Sequence, residues 1–86
     1  AAPVIIEPDA DLAQLIPSLI KGGFYHAGQV CVSVQRVFIH ASIFTSVCDQ
    51  LITQTEQLKV GDPSNEETEV GPMILPREVQ RIDEWV

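Results

Sequence analysis

The sequence predicts an α/β layer fold with parallel strands alternating with helices. Three observations carry this. The hydrophobic patterns follow the order strand, helix, strand, helix, loop, helix along the 86 residues. Both strand patterns centre on unbroken apolar runs, Val4-Ile5-Ile6 and Val37-Phe38-Ile39, as strands buried in parallel sheets do. Hydrophobic residues make up 45% of the chain, enough for a core. A single small domain of this size buries only about two-thirds of its unfolded surface, so its stability is marginal. Two strands cannot bury both faces of a parallel sheet, so further strands are expected outside this chain.

The first strand is read over Pro3-Val4-Ile5-Ile6-Glu7, closed by Pro8, and is expected to be buried. Asp9 or Asp11 then caps a helix. Leu12, Leu15, Ile16, Leu19 and Ile20 fall at i, i+3, i+4, i+7 and i+8, one face turned to a core. Pro17 either kinks this helix or starts its main part. Gly22-Gly23 either weaken the next turn or admit a second backbone at close range. Val32 to His40 is rich in β-branched residues and is read as a second buried strand. Ser42 is the expected N-cap of a second helix, with Ile43, Phe44, Val47, Cys48, Leu51 and Ile52 on its apolar face. Lys59 and Gly61 are expected at and just past its end. Gly61 to Pro72 reads as a loop. Pro76 opens a third helix with Leu75, Val79, Ile82 and Val86 on one face. The chain starts on a strand pattern without methionine and stops at Trp85-Val86 inside a helical pattern, so it is read as a piece of a longer protein.

The net charge of −7 argues against nucleic-acid and anionic-membrane binding. Asp62, Glu66, Glu67 and Glu69 read as a solvated loop, since they lack the alternating oxygen ligands and turn glycine of a Ca²⁺ loop. Cys31 and Cys48 show no CxxC or Cys/His spacing, so no metal site is expected. No apolar run approaches the ~20 residues of a transmembrane helix. With no signal peptide visible, a reducing cytoplasm is the expected setting.

Cys48 continues the apolar stripe of the second helix and is read as core. Cys31 follows a Gly-Gln step where one pattern stops and another begins. Buried structural cysteine and nucleophile are evenly matched readings there. The preceding helix presents its negative end, so activation of the thiol has to come from elsewhere. His26 is read as positional or capping rather than as a catalytic base, and His40 as exposed or capping. Gln29 either donates toward the thiol region or ties the turn; Arg36 is expected to pair with a carboxylate outside the chain, and Trp85 to be core or interface.

Phe24-Tyr25-His26-Ala27-Gly28-Gln29-Val30-Cys31, with Arg36 five residues on, resembles the active-site cysteine motif of the aldehyde dehydrogenase superfamily. Ala2-Pro3-Val4-Ile5-Ile6, Pro8-Asp9-Ala10-Asp11-Leu12, Val60-Gly61-Asp62-Pro63 and Val70-Gly71-Pro72-Met73-Ile74 extend the resemblance over essentially the whole chain. It implies that residues 1–86 are part of a three-layer α/β catalytic domain. It further implies that Cys31 attacks an aldehyde to give a thiohemiacetal, with its backbone N–H in the oxyanion hole. Hydride passes to NAD or NADP, and water activated by a glutamate hydrolyses the thioester. By the same resemblance Tyr25, Val30 and Val32 line the substrate tunnel and Glu78 meets the cofactor ribose. The parent would be a homodimer or homotetramer. His26 stands where many members carry asparagine, and Ser33 where a smaller residue is common. The glutamate base, cofactor domain, oxyanion-hole asparagine and oligomerisation strand fall outside these residues, so the chain alone is expected to be inactive. The rival readings are an acylating enzyme that uses coenzyme A, a cysteine hydrolase, and a non-catalytic α/β interaction module.

Overall fold

The computed structural model describes all residues, 1–86. Strand β1 (Ala2–Ile6), helix α1 (Leu12–Phe24) and strand β2 (Val34–Ile39) form a β-α-β unit. Helices α2 (Phe44–Glu56) and α3 (Arg77–Trp85) follow. The strands pair in parallel, which a crossover helix between them permits. Their register runs Pro3 to Arg36 through Ile6 to Ile39, with a slip after the Ala2–Val34 pair. That slip falls at Pro3, the residue with no N–H to give the ladder.

Both strands were expected to be buried, and each is covered on one side only. Ile6 is 2% exposed, but Ile5 is 73% and Phe38 56% exposed. The reason is the pleat: successive side chains alternate between faces, and within this chain one face meets the core. That core is Ile6, Ile16, Leu19, Ile20 and Val47, with Val4, Leu15, Val37, Ile39 and Leu51 packed around it. Ile16 and Val47 are fully buried; each contributes about 1.5–3 kcal/mol by leaving water.

Helix α1 starts where its stripe starts. The Asp11 carboxylate accepts the Ala13 N–H at 3.1 Å, so Asp11, not Asp9, is the cap. Pro17 lies inside a helix already begun at Leu12 and does not open it. Helix α2 departs from expectation at both ends. Its entry is a short 3₁₀ turn, Ala41–Ile43, capped by His40, whose Nδ1 accepts the Ser42 N–H. Ser42 is thus the capped residue rather than the cap, its hydroxyl 2.8 Å from that same nitrogen. The helix ends at Glu56, not at Lys59. The Lys59 backbone is taken instead by the following loop: its N–H goes to the Glu69 carboxylate, and its carbonyl accepts the Glu69 and Val70 N–H groups. Gly61 bonds to the Val70 carbonyl and has no positive φ, so it caps no helix.

The loop from Gly61 to Pro72 is held by local turns. Asp62 accepts the Ser64 N–H at 2.9 Å and the Ser64 hydroxyl at 2.8 Å. These bonds, the backbone one first, hold the Asp62 carboxyl below the usual carboxylate range. Helix α3 buries none of its residues; Val79 and Trp85 stay exposed, and Leu75 lies before the helix rather than on its face. Trp85 is therefore not core, and the Arg81 guanidinium stacks 4.6 Å from its ring centre.

Two backbone features hold α1 against β2. The first is the glycine pair. A Cβ on Gly22 would sit 3.0 Å from Val34 Cγ2, whereas one on Gly23 would meet only the Val34 carbonyl at 3.8 Å. Close approach is therefore the reason for Gly22. The second is a left-handed turn after α1: His26 (φ 51°), Ala27 (φ 56°) and Gly28 (φ 77°) follow one another. Only Gly28 takes this conformation without steric cost.

Two stability predictions follow from these positions. In urea denaturation of the chain, Gly23→Ala gains about 0.5–1 kcal/mol from better helix propensity. Gly22→Ala gains nothing or loses, because Val34 is stiff at χ1 and cannot easily give way. Ala27→Gly stabilises by about 1 kcal/mol through relief of positive φ; a loss of stability there would contradict the left-handed turn.

Candidate functional site

The cysteine expected at a junction lies in a turn between the left-handed segment and β2. The sequence pattern placed the second strand from Val32, but Val30 to Ser33 close a turn with the Ser33 N–H on the Val30 carbonyl at 3.0 Å. The strand begins at Val34 because Ser33 turns inward. It is the one buried polar residue, and its hydroxyl donates to the carbonyls of Gly23 at 3.1 Å and Gly22 at 3.4 Å. Helix-end carbonyls lack intrahelical partners, and this hydroxyl supplies one. The turn is also fixed from the β1 side. Ala2 N–H donates to Ser33 O at 2.9 Å, and the Ala1 amino group donates to Cys31 O at 2.5 Å.

Cys31 is exposed and unpaired; Cys48 is a free thiol at half burial, less enclosed than its stripe position implied because Phe44 and Ile52 beside it are open to solvent. No hydrogen bond reaches Cys31 Sγ, and the Cys31 N–H is given to no acceptor within the chain. His26 packs edge-on against Tyr25, ring centres 4.2 Å apart, and makes no bond to the thiol. Its carbonyl accepts the Gln29 N–H at 3.0 Å, a positional role. Gln29 does not turn toward the thiol either. Its side-chain Oε1 accepts the Ile74 N–H at 3.2 Å, tying the turn to the segment after the loop.

The structure brings three of the predicted site residues together. Tyr25, Val30 and Val32 line one open groove of about 340 Å³ with Ser18, Lys21, Gly22 and Ser33. Cys31 lies in sequence between its two lining valines. A larger cavity, about 480 Å³, lies between α1, the end of α2 and the loop, and shares only Lys21 and Tyr25 with the groove. It contains no residue of the Cys31 turn, so its size does not make it the site. Sequence reasoning missed Lys21 and Ser18, although both fall on the helix face of Tyr25, at four and seven residues before it.

Glu78 is not brought to this group. It lies in the first turn of α3, where Arg81 Nε donates to one carboxylate oxygen at 2.5 Å and Arg77 Nε lies 3.6 Å from the other. These contacts leave acceptor capacity on both carboxylate oxygens. Glu78 also lines none of the cavities above. Glu78 and the groove residues are thus separate groups within this chain. Arg36 is exposed on β2 with no carboxylate in ion-pair range within the chain. No helix is long and apolar enough to cross a membrane.

The chain is similar to known proteins over nearly its whole length. It is 44% identical over 82 residues to 3-sulfolactaldehyde dehydrogenase of Priestia megaterium, covering 95% of this chain and 17% of that protein. It is 36% identical over 85 residues to aspartate-semialdehyde dehydrogenase 1 of Pseudomonas canavaninivorans, covering 99% of this chain and 18% of that one. The crystal structure of Staphylococcus aureus betaine aldehyde dehydrogenase in complex with NAD⁺ superimposes with a TM-score of 0.92 at 32% identity, over 98% of this chain and 17% of that chain. The chain thus spans about a sixth of the length of its relatives. The parallel strands, the intervening helix and the turn that carries Cys31 fit the family description "aldehyde dehydrogenase family", whose model matches residues 1–86, and the chain belongs to that family.

Proposed function

We propose that residues 1–86 are the cysteine-bearing part of the catalytic domain of an enzyme that oxidises an aldehyde to a carboxylic acid with NAD or NADP. The observation that carries this is the Cys31 turn. An exposed thiol lies in sequence between two valines that line a groove, without itself lining it, and its own backbone N–H is uncommitted. Cys31 Sγ forms a bond to the carbonyl carbon, and the carbonyl π pair moves to oxygen. The Cys31 N–H is a donor for that oxygen as it becomes an alkoxide. Tyr25, Val30 and Val32 give the substrate chain an apolar wall. Loss of hydride from the thiohemiacetal carbon leaves a thioester on Cys31. The hydride would go to the NAD or NADP of the proposed reaction, and no residue of the groove is assigned to that transfer. Water then releases the acid and returns the thiol.

The family assignment and the NAD⁺ complex of the S. aureus relative support the choice of oxidant. The exposure of Cys31 speaks against an interaction module with two core cysteines. The parent is proposed to be a cytoplasmic homodimer or homotetramer, a setting in keeping with two unpaired thiols. The names of the relatives span an aldehyde with a sulfonate, one with a carboxylate and one with a quaternary ammonium, so resemblance alone does not choose the substrate.

In the full-length enzyme, Cys31→Ser is expected to lower NAD(P)-linked aldehyde oxidation by about 10³-fold or more, while Cys48→Ser leaves the rate within about twofold of wild type. Comparable rates in the Cys31→Ser enzyme would end the proposal. An acid product without coenzyme A marks the hydrolytic enzyme, and an acyl-coenzyme A product marks the acylating one. The 86-residue chain alone is expected to reduce neither cofactor. Its folded state is expected to alkylate at Cys31 ahead of Cys48, as read by peptide mapping after brief iodoacetamide treatment.

A further inference from the structure

We infer that Lys21 selects aldehydes that carry an anionic group, a carboxylate or sulfonate, at the end remote from the carbonyl. This rests on the reading of the Tyr25–Val30–Val32 groove as the substrate passage. The chain has five Lys and Arg residues against twelve Asp and Glu. Three of the five are committed: Lys59 faces Glu67 at 3.5 Å, and Arg77 and Arg81 both face Glu78. Arg36 lies on β2 and lines no part of the groove. Lys21 alone is both without a carboxylate partner and in the groove wall. No Asp or Glu lines that groove.

The groove's other polar side chains divide in an informative way. Ser18 donates its hydroxyl to the Gln14 carbonyl, and Ser33 donates to Gly22 and Gly23. Both are spent on the helix. The Lys21 ammonium and the Tyr25 phenol have no hydrogen-bond partner in the chain. They are four residues apart on α1 and its extension, hence neighbours on one side. Val30 and Val32 add no group that competes for charge. An aldehyde with a distal anion meets apolar wall along its chain and an unpaired cation beyond it. A neutral aldehyde leaves the cation without a partner, and a cationic one is repelled.

The experiment uses the full-length enzyme with two four-carbon aldehydes, succinic semialdehyde and butanal, assayed with NAD and NADP. The ratio of kcat/KM for the anionic over the neutral aldehyde is expected to fall at least tenfold in Lys21→Met, which keeps length and removes charge. Lys21→Arg is expected to keep most of the ratio. The loss should be in KM, since charge pairing remote from the carbonyl acts on ground and transition states alike. A wild-type measurement needs no variant: KM for succinic semialdehyde should rise with ionic strength while that for butanal stays flat. A ratio in Lys21→Met within twofold of wild type, or equal salt dependence for both aldehydes, overturns the role of Lys21 and leaves the enzyme class intact. Wild-type turnover of butanal without turnover of succinic semialdehyde overturns that role as well.

Discussion

The Ser33 hydroxyl, lodged against the carbonyls of Gly22 and Gly23, is the contact from which the site is built. It is the one buried polar side chain, and it joins the end of α1 to the start of β2. Gly22 lets the strand come this near: Val34 Cγ2 occupies the space just beyond where a Cβ would be. With α1 and β2 held this way, the nine residues from Phe24 to Val32 must leave the helix, reverse and re-enter the sheet. Cys31 lies near the end of that excursion, and the Ala1 amino group and the Ala2 amide hold the carbonyls of Cys31 and Ser33 from the β1 side. The thiol is therefore positioned by backbone bonds on both sides, and its own side chain has no part in holding it. Such a residue can change its chemical state without disturbing its support.

The reversal has a steric cost. His26 and Ala27 both sit at positive φ, each about 1–2 kcal/mol above the right-handed alternative. The core offsets this: Ile16 and Val47 alone contribute more by burial, at about 1.5–3 kcal/mol each. The left-handed turn is short enough to bring Gln29 beneath the Cys31 turn, where it reaches Ile74, forty-five residues on. An asparagine in place of His26 would meet the same backbone with a residue better suited to φ > 0. Strain tolerated beside an exposed thiol fits the tendency of such outliers to gather at working sites.

What the sequence made legible was local and periodic. The α1 stripe, an aspartate cap (Asp9 or Asp11) and the parallel strand pair could be read because each depends on spacing or on side-chain chemistry within a few residues. Reading failed where a distant segment competed. Lys59 and Gly61 look like a helix end, yet Glu69 and Val70 take their backbone groups and α2 stops at Glu56. Ser42 looks like an N-cap, but His40 is placed two residues earlier and its ring nitrogen takes the amide. The apolar runs of β1 and β2 predict burial on both faces, and only one face has a partner here. For the site, no pattern within the sequence joined Tyr25, Val30 and Val32. The family motif did, and it left out Lys21 because a lysine in the last turn of a helix already has a sufficient reason in the helix dipole.

The division of labour around Cys31 follows from what surrounds it. No side chain of these residues hydrogen-bonds its sulfur, His26 is engaged with Tyr25, and the helix that precedes the turn presents its negative end. Placement of the thiol and of a free N–H beside it comes from this segment, and within it no base hydrogen-bonds the sulfur. The exposed apolar side chains point the same way. Ile5 and Phe38 lie on the open face of a parallel pair, a kind of sheet that is otherwise covered on both sides. Were water excluded from the groove beside Val30 and Val32, which neither Ile5 nor Phe38 lines, an unpaired Lys21 charge would act on a substrate far more strongly than it does across open solvent.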